Sequence, residues 1–116
     1  MTLAQPPAAL DQPYTYDTEV AGIQWLAANR IGTNPVEADL VANLRLQAFG
    51  NTNSAILGIF PRTIQKKSYV YLDSANVSGI AYYGYQNNVV TYNYPLAFLN
   101  THKNLIYNDG GSEIYR

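Results

Sequence analysis

One histidine, eight acidic side chains and eleven tyrosines are the groups from which this chain of 116 residues could build chemistry; it contains no cysteine. His102 is the side chain whose ordinary pKa lies near neutrality, and general acid–base work or metal binding would require partners at fitting spacing. The stretch Asn100–Asn104 around it supplies none. Asp109 and Glu113 flank Gly110-Gly111, but the segment lacks the alternating oxygen ligands and closing glutamate of a calcium loop, so it reads as a turn. Neither phosphate-cradling glycine pattern, G-x-x-x-x-G-K-[ST] or G-x-G-x-x-G, occurs. Asn76-Val77-Ser78 fits a glycosylation acceptor, yet no secretory signal accompanies it. The expectation is a protein that is not an enzyme, with no catalytic residue, no metal and no cofactor.

The tyrosines invite a different chemistry. Tyr69/Tyr71, Tyr83/Tyr85 and Tyr92/Tyr94 lie two apart, which puts each pair on one face of a strand. A tyrosine ring buries apolar area while its hydroxyl finds a polar partner, as suits an assembly interface or a saccharide platform. The same ladder also fits a sheet face packed on the helices as core. Trp25 reads as a core anchor.

Composition narrows the partners. Charged residues make up 13% of the chain, against roughly 25% in a usual domain, so a surface covered by other protein subunits is one consistent reading. The net charge of −1, with Lys66-Lys67 the one adjacent basic pair, argues against nucleic acid. Met1–Leu10 carries no signal-peptide pattern, and no run approaches the roughly 20 apolar residues of a membrane span. The chain is therefore expected to be soluble, with no membrane contact.

These residues must be positioned by an α+β fold: an extended N-terminal arm, two helices, then a mostly antiparallel sheet of about 4–6 strands. Residues 1–16, with Pro6, Pro7 and Pro13, read as the arm, on which Leu3, Leu10, Tyr14 and Tyr16 could anchor against a neighbour. Residues 17–116 read as a single domain. One helix is expected over about 18–31, its apolar positions Val20, Ile23 and Ala27, ending at Gly32. A second is expected over about 35–49, with Asn34 as N-cap, Pro35 in the first turn, Glu37 as capping acid and a stripe of Leu40, Val41, Leu44 and Ala48. Strands fill 55–116. Ala55–Phe60 and Ser68–Asp73 read as buried strands, and Val77–Gln86 with Val89–Tyr94 as a hairpin turning at Asn87-Asn88, so that Tyr85 faces Val90, Tyr83 faces Tyr92 and Ala81 faces Tyr94. A last hairpin turns at Asn108–Gly111.

Together these features point to a non-enzymatic structural protein that assembles into an oligomer. The concrete expectation is a virion component of a phage or virus, in the capsid, connector or tail, with the cytoplasm as the location otherwise. Its interface would comprise Leu3, Leu10, Tyr14, Tyr16, Tyr83, Tyr85, Tyr92 and Tyr94. The alternative is a small carbohydrate- or peptide-binding β-rich module using the same tyrosine face.

Overall fold

The computed structural model describes residues 17–50 and 58–116; the expected arm, with Leu3, Leu10, Tyr14 and Tyr16, lies outside them. Helix α1 (Asp17–Asn29) buries Glu19, Gly22, Ile23 and Leu26. That stripe is offset from the expected one because Gly22 meets the Ser112 side chain so closely that an added Cβ would collide with its Oγ. Gly32, at φ 56°, follows as the expected stop.

The second helix starts later than its local signals suggest. Val36–Glu37 is a short strand, β1, and helix α2 spans Leu40–Gly50. Asn34-Pro35 lies at the strand's entrance, where the Pro35 carbonyl accepts the Tyr69 N–H at 2.8 Å. The true cap is Asp39, whose Oδ1 accepts the Ala42 N–H at 2.9 Å. Pairing with a distant strand has overridden a favourable local start. The buried face of α2 is accordingly Val41, Ala42, Asn43 and Leu46, leaving Leu44 exposed.

Strand β2 (Tyr69–Leu72) and helix α3 (Ser74–Val77) follow. Asp73 caps α3 in a reciprocal box: its side chain accepts the Asn76 N–H, and the Asn76 side chain accepts the Asp73 N–H. Next come the hairpin β3 (Ile80–Tyr85) and β4 (Asn88–Asn93), helix α4 (Leu96–His102), and strands β5 (Leu105–Asn108) and β6 (Glu113–Tyr115) around the expected turn. Gly58–Phe60, the described part of the strand expected at Ala55–Phe60, belongs to neither sheet.

The order β1-β2-β6-β5 makes one four-stranded sheet, with β1 parallel to β2 and the other pairs antiparallel; β3-β4 forms its own two-stranded sheet. The α+β class is therefore as the sequence implies. β2 is covered on both faces. Tyr69 and Tyr71 pack with Ile23, Leu26, Ala42, Leu46 and Ile114 under the helices. Val70 and Leu72 pack with Ile59, Ala81, Tyr94, Leu99 and Tyr115 on the other side. Alternation of side chains along one strand thus feeds two cores.

Candidate functional site

The two-sided burial of β2 brings four charged side chains together at its end. Glu19 from α1, Asp39 at the start of α2 and Asp73 at the start of α3 are fully buried carboxylates. Arg45 of α2 reaches between them: its Nη1 donates to Asp73 Oδ2 at 2.8 Å and its Nε lies 3.6 Å from Glu19 Oε1. Glu19 Oε2 also accepts the Ser74 N–H at 2.8 Å. Asn76 joins the remaining pair, donating from Nδ2 to Asp39 Oδ2 at 2.8 Å and from its N–H to Asp73 Oδ1 at 3.1 Å. Burial, and then the neighbouring Asp39, push the Asp73 carboxyl up to about 7, with Arg45 opposing. Asp39 is raised too, chiefly by burial, though donors from Ala42, Asn76 and Tyr82 hold it down. Every one of these carboxylates accepts buried donors, so the arrangement fastens elements together and presents no acid to solvent.

The hairpin hangs from this cluster. The Tyr82 N–H donates to Asp39 Oδ2 at 2.9 Å, and Asn76 Nδ2 donates also to the Ile80 carbonyl at 2.9 Å. On one face of the hairpin the Tyr92 hydroxyl accepts the Ile59 N–H at 2.8 Å and donates to the Ile59 carbonyl at 2.7 Å. Phe60 stacks on Tyr92 at 4.9 Å and meets Tyr83 edge-on at 5.4 Å. Gly58 abuts the Tyr83 ring, where a Cβ would come within 2.7 Å of it.

Beyond this anchored base the hairpin stands free. Gly84 through Thr91 are all exposed, including Tyr85 at 57%, Val89 at 43% and Val90 at 41%. Gln86 and Asn87, at φ 50° and 65°, form the turn, so the strands pair Tyr85 with Asn88, Tyr83 with Val90 and Ala81 with Tyr92. The expected register is displaced by two, because the positive φ angles fall on Gln86-Asn87 and not on Asn87-Asn88. The faces keep their members: Ala81, Tyr83, Tyr85, Val90 and Tyr92 share one, while Ile80, Tyr82, Gly84, Val89 and Thr91 share the other.

A second polar group lies at the opening of the sheet. Glu37 is buried and its carboxyl raised by burial, while the Gln65 N–H donates to its Oε2 at 3.0 Å. Lys103 Nζ donates to the Ser68 carbonyl at 2.8 Å and the Lys66 carbonyl at 3.2 Å, and burial lowers its pKa. Glu37 Oε1 and the Tyr94 hydroxyl are buried without a hydrogen-bond partner among the described residues.

The sequence-derived interface residues separate in space. Tyr85 is exposed at the hairpin's end, Tyr83 and Tyr92 are half-buried under Phe60, and Tyr94 lies within the second core. His102 stacks on Phe98 at 4.1 Å with its Nδ1 3.0 Å from the Phe98 carbonyl. Trp25 lies against Tyr107 at 5.0 Å, at the edge of the first core. Asn76, the asparagine of the glycosylation pattern, has its amide inside the carboxylate cluster. No group of three or more His, Cys, Asp or Glu among the described residues could hold a metal ion. Sequence reasoning missed the cluster, since Glu19, Asp39, Arg45 and Asp73 show no common spacing. It also passed over a legible signal: from Ser74 to His102 there is no Asp, Glu, Lys or Arg, and the whole hairpin lies in that stretch.

Comparison with known proteins adds one finding. The model of a family described as "Predicted membrane protein (DUF2206)" matches residues 4–115, nearly the whole chain. No curated protein and no solved structure matches. The match overturns the expectation of a virion component, whether capsid, connector or tail, and that of the binding module offered as its alternative. It equally overturns the virion or cytoplasmic location. Among the described residues no helix is long and apolar enough to cross a membrane.

Proposed function

This chain belongs to the DUF2206 family of predicted membrane proteins, and from that premise we infer that it forms a water-facing α+β domain that holds the β3–β4 hairpin out from a rigid body, without catalysing a reaction. The observation that best supports the reading is the distribution of side chains. Aliphatic and aromatic residues fill two internal cores, while Gln24 and Asn29 of α1, Gln47 of α2 and the loop residues Arg62, Lys66 and Lys67 face outward. A segment bathed in lipid requires the reverse, with apolar side chains outside. Support for a non-catalytic role comes from the carboxylates, which are used as acceptors for backbone N–H groups and Arg45.

A protein subunit as partner is a second reading. It is favoured by the outer edge of β4, which pairs with no further strand among the described residues and so offers backbone groups for strand addition, whereas on β3 the Ile80 carbonyl and the Tyr82 N–H are taken by Asn76 and Asp39.

Sedimentation velocity and amide exchange on the whole chain in detergent-free buffer test the main reading. The expected result is a folded, monodisperse species with the Tyr82 amide among the slowest to exchange and the Gln86–Asn88 turn among the fastest. A chain that stays dispersed only in detergent, or a turn protected as strongly as Tyr82, overturns it.

A further inference from the structure

The hairpin tip combines properties that suit a surrounding medium better than a single docking partner. Its exposed apolar side chains point both ways: Tyr85 and Val90 on one face, Val89 on the other. A protein partner covers one face of a ribbon, whereas a lipid interface wets both. The tip is also without charge. No Asp, Glu, Lys or Arg occurs in the hairpin, and the polar residues at its end, Gln86, Asn87 and Asn88, are neutral amides that can hydrogen-bond to headgroups without the cost of desolvating an ion. Tyrosine is enriched where bilayer meets water, its ring on the apolar side and its hydroxyl on the wet side. The base, clamped by Asp39 and Asn76 along the edge of β3 and by Phe60 on one face, fixes the direction in which the tip projects.

We propose that the end of the β3–β4 hairpin, carrying Tyr85, Val89 and Val90, docks into the headgroup layer of a lipid bilayer. The proposal deepens the reading of this chain as a water-facing domain of a membrane protein and rests on it. Geometry limits the depth. Beyond the clamp at Ile80 and Tyr82, the outer backbone edges of the hairpin have no strand partner among the described residues, so their N–H and C=O groups must stay where water or headgroups can reach them. The ribbon from Tyr83 to the turn is three residues, about 10 Å at about 3.4 Å per residue, which matches an interfacial depth of about 5–10 Å. Because the tip is neutral, docking needs no anionic lipid and persists in salt, in contrast to adsorption through Lys66 and Lys67. The sequence-based expectation of no membrane contact is set aside in this proposal.

The absence of cysteine permits a single label. An environment-sensitive fluorophore on Asn87→Cys, with Gln24→Cys on α1 as the control, is mixed with phosphatidylcholine vesicles. Depth is read with spin-labelled lipids. The expected result is a blue shift and shallow quenching at position 87 and neither at 24, unchanged by about 0.5 M salt, at which charges are screened within about 4 Å. Val89→Asp with Val90→Asp should lower the bound fraction about tenfold, and Tyr85→Ser should weaken it less; both sites are exposed, so circular dichroism should stay native. No shift at position 87 in a folded, monodisperse chain overturns the lipid proposal while leaving the water-facing domain standing. A shift that appears without lipid as the concentration rises identifies a second copy of the chain as the occupant and likewise overturns it. A shift that requires anionic vesicles and vanishes in salt assigns binding to the basic loop instead. A chain aggregated before lipid is added defeats both readings.

Discussion

Where α1, α2 and α3 converge, three carboxylates and a guanidinium are enclosed in the protein, while the hairpin that leaves the same junction carries no charge into solvent. The usual placement is inverted in both regions. The enclosed charges are tolerable because each has donors: Asp39 accepts three, and Arg45 spans Glu19 and Asp73. The exposed apolar tip is tolerable because its ribbon is covalently continuous with that clamp and needs no core of its own. The contrast teaches that polarity here tracks mechanical role. Directional bonds set the angle of the hairpin at its base, and its end presents a non-directional apolar surface to solvent.

Breaking the clamp should have the largest effect. Arg45→Met removes the guanidinium that Glu19 and Asp73 share, and urea unfolding at pH 7 should give a loss of about 3–5 kcal/mol. A loss below about 1 kcal/mol would mean that bound protons already neutralise the cluster. Asp39→Ala removes the α2 cap and orphans the Tyr82 N–H, with an expected cost of about 2–3 kcal/mol. Amide exchange should then quicken at Tyr82 before it quickens in β2; uniform quickening would show that the hairpin is not separately anchored.

The next effect lies in the slope of stability against pH. The Asp73 carboxyl is raised to about 7 in the fold, so between its ordinary value near about 4 and about 7 the native state holds more protons than the unfolded one. Its contribution is full below that window and fades as pH rises through it. Asp109 has the opposite sign. Although partial burial raises it, the Gly111 and Ser112 N–H groups and the Tyr107 hydroxyl outweigh burial and depress it, so its contribution is present at neutral pH and fades as pH falls. Asp73→Asn should flatten the decline between about pH 4 and 7, and Asp109→Asn should flatten the loss below about pH 4. Identical profiles for the two variants would refute this assignment. The smallest effect is expected at the tip: Tyr85→Ser and Val89→Ser should each change stability by no more than about 0.5 kcal/mol, and a larger loss would place the tip in a fold contact.

Much of this was readable in the chain. Helix α1, the two-sided strand Tyr69–Leu72 and both hairpins follow from period and turn chemistry, because their determinants are local. The start of α2 does not, since Asn34, Pro35 and Glu37 form a sound local cap whose competitor is parallel pairing with Tyr69 and Val70. The hairpin register hinged on which two of Gln86, Asn87 and Asn88 take positive φ, and asparagine tolerates either choice. The carboxylate cluster was invisible for another reason. Glu19, Asp39 and Asp73 each prove to lie at the start of a helix, Asp73 having read as the end of a strand, and nothing in one dimension says that three such starts meet. The charge-free stretch was legible throughout, but a missing residue type attracts less notice than a motif.

The central place of β6 has a consequence for how the domain comes into being. β6 follows every other described element in sequence, yet it lies between β2 and β5, with Ile114 in one core and Tyr115 in the other. During synthesis both compartments therefore stay open on that side until β6 arrives. Partial chains expose Tyr69, Val70, Tyr71 and Leu72 on an unpaired edge, the kind of surface that chaperones capture. Closure of the sheet then waits on the synthesis of β6, and a nascent chain arrested before Glu113 should be open to protease along β2.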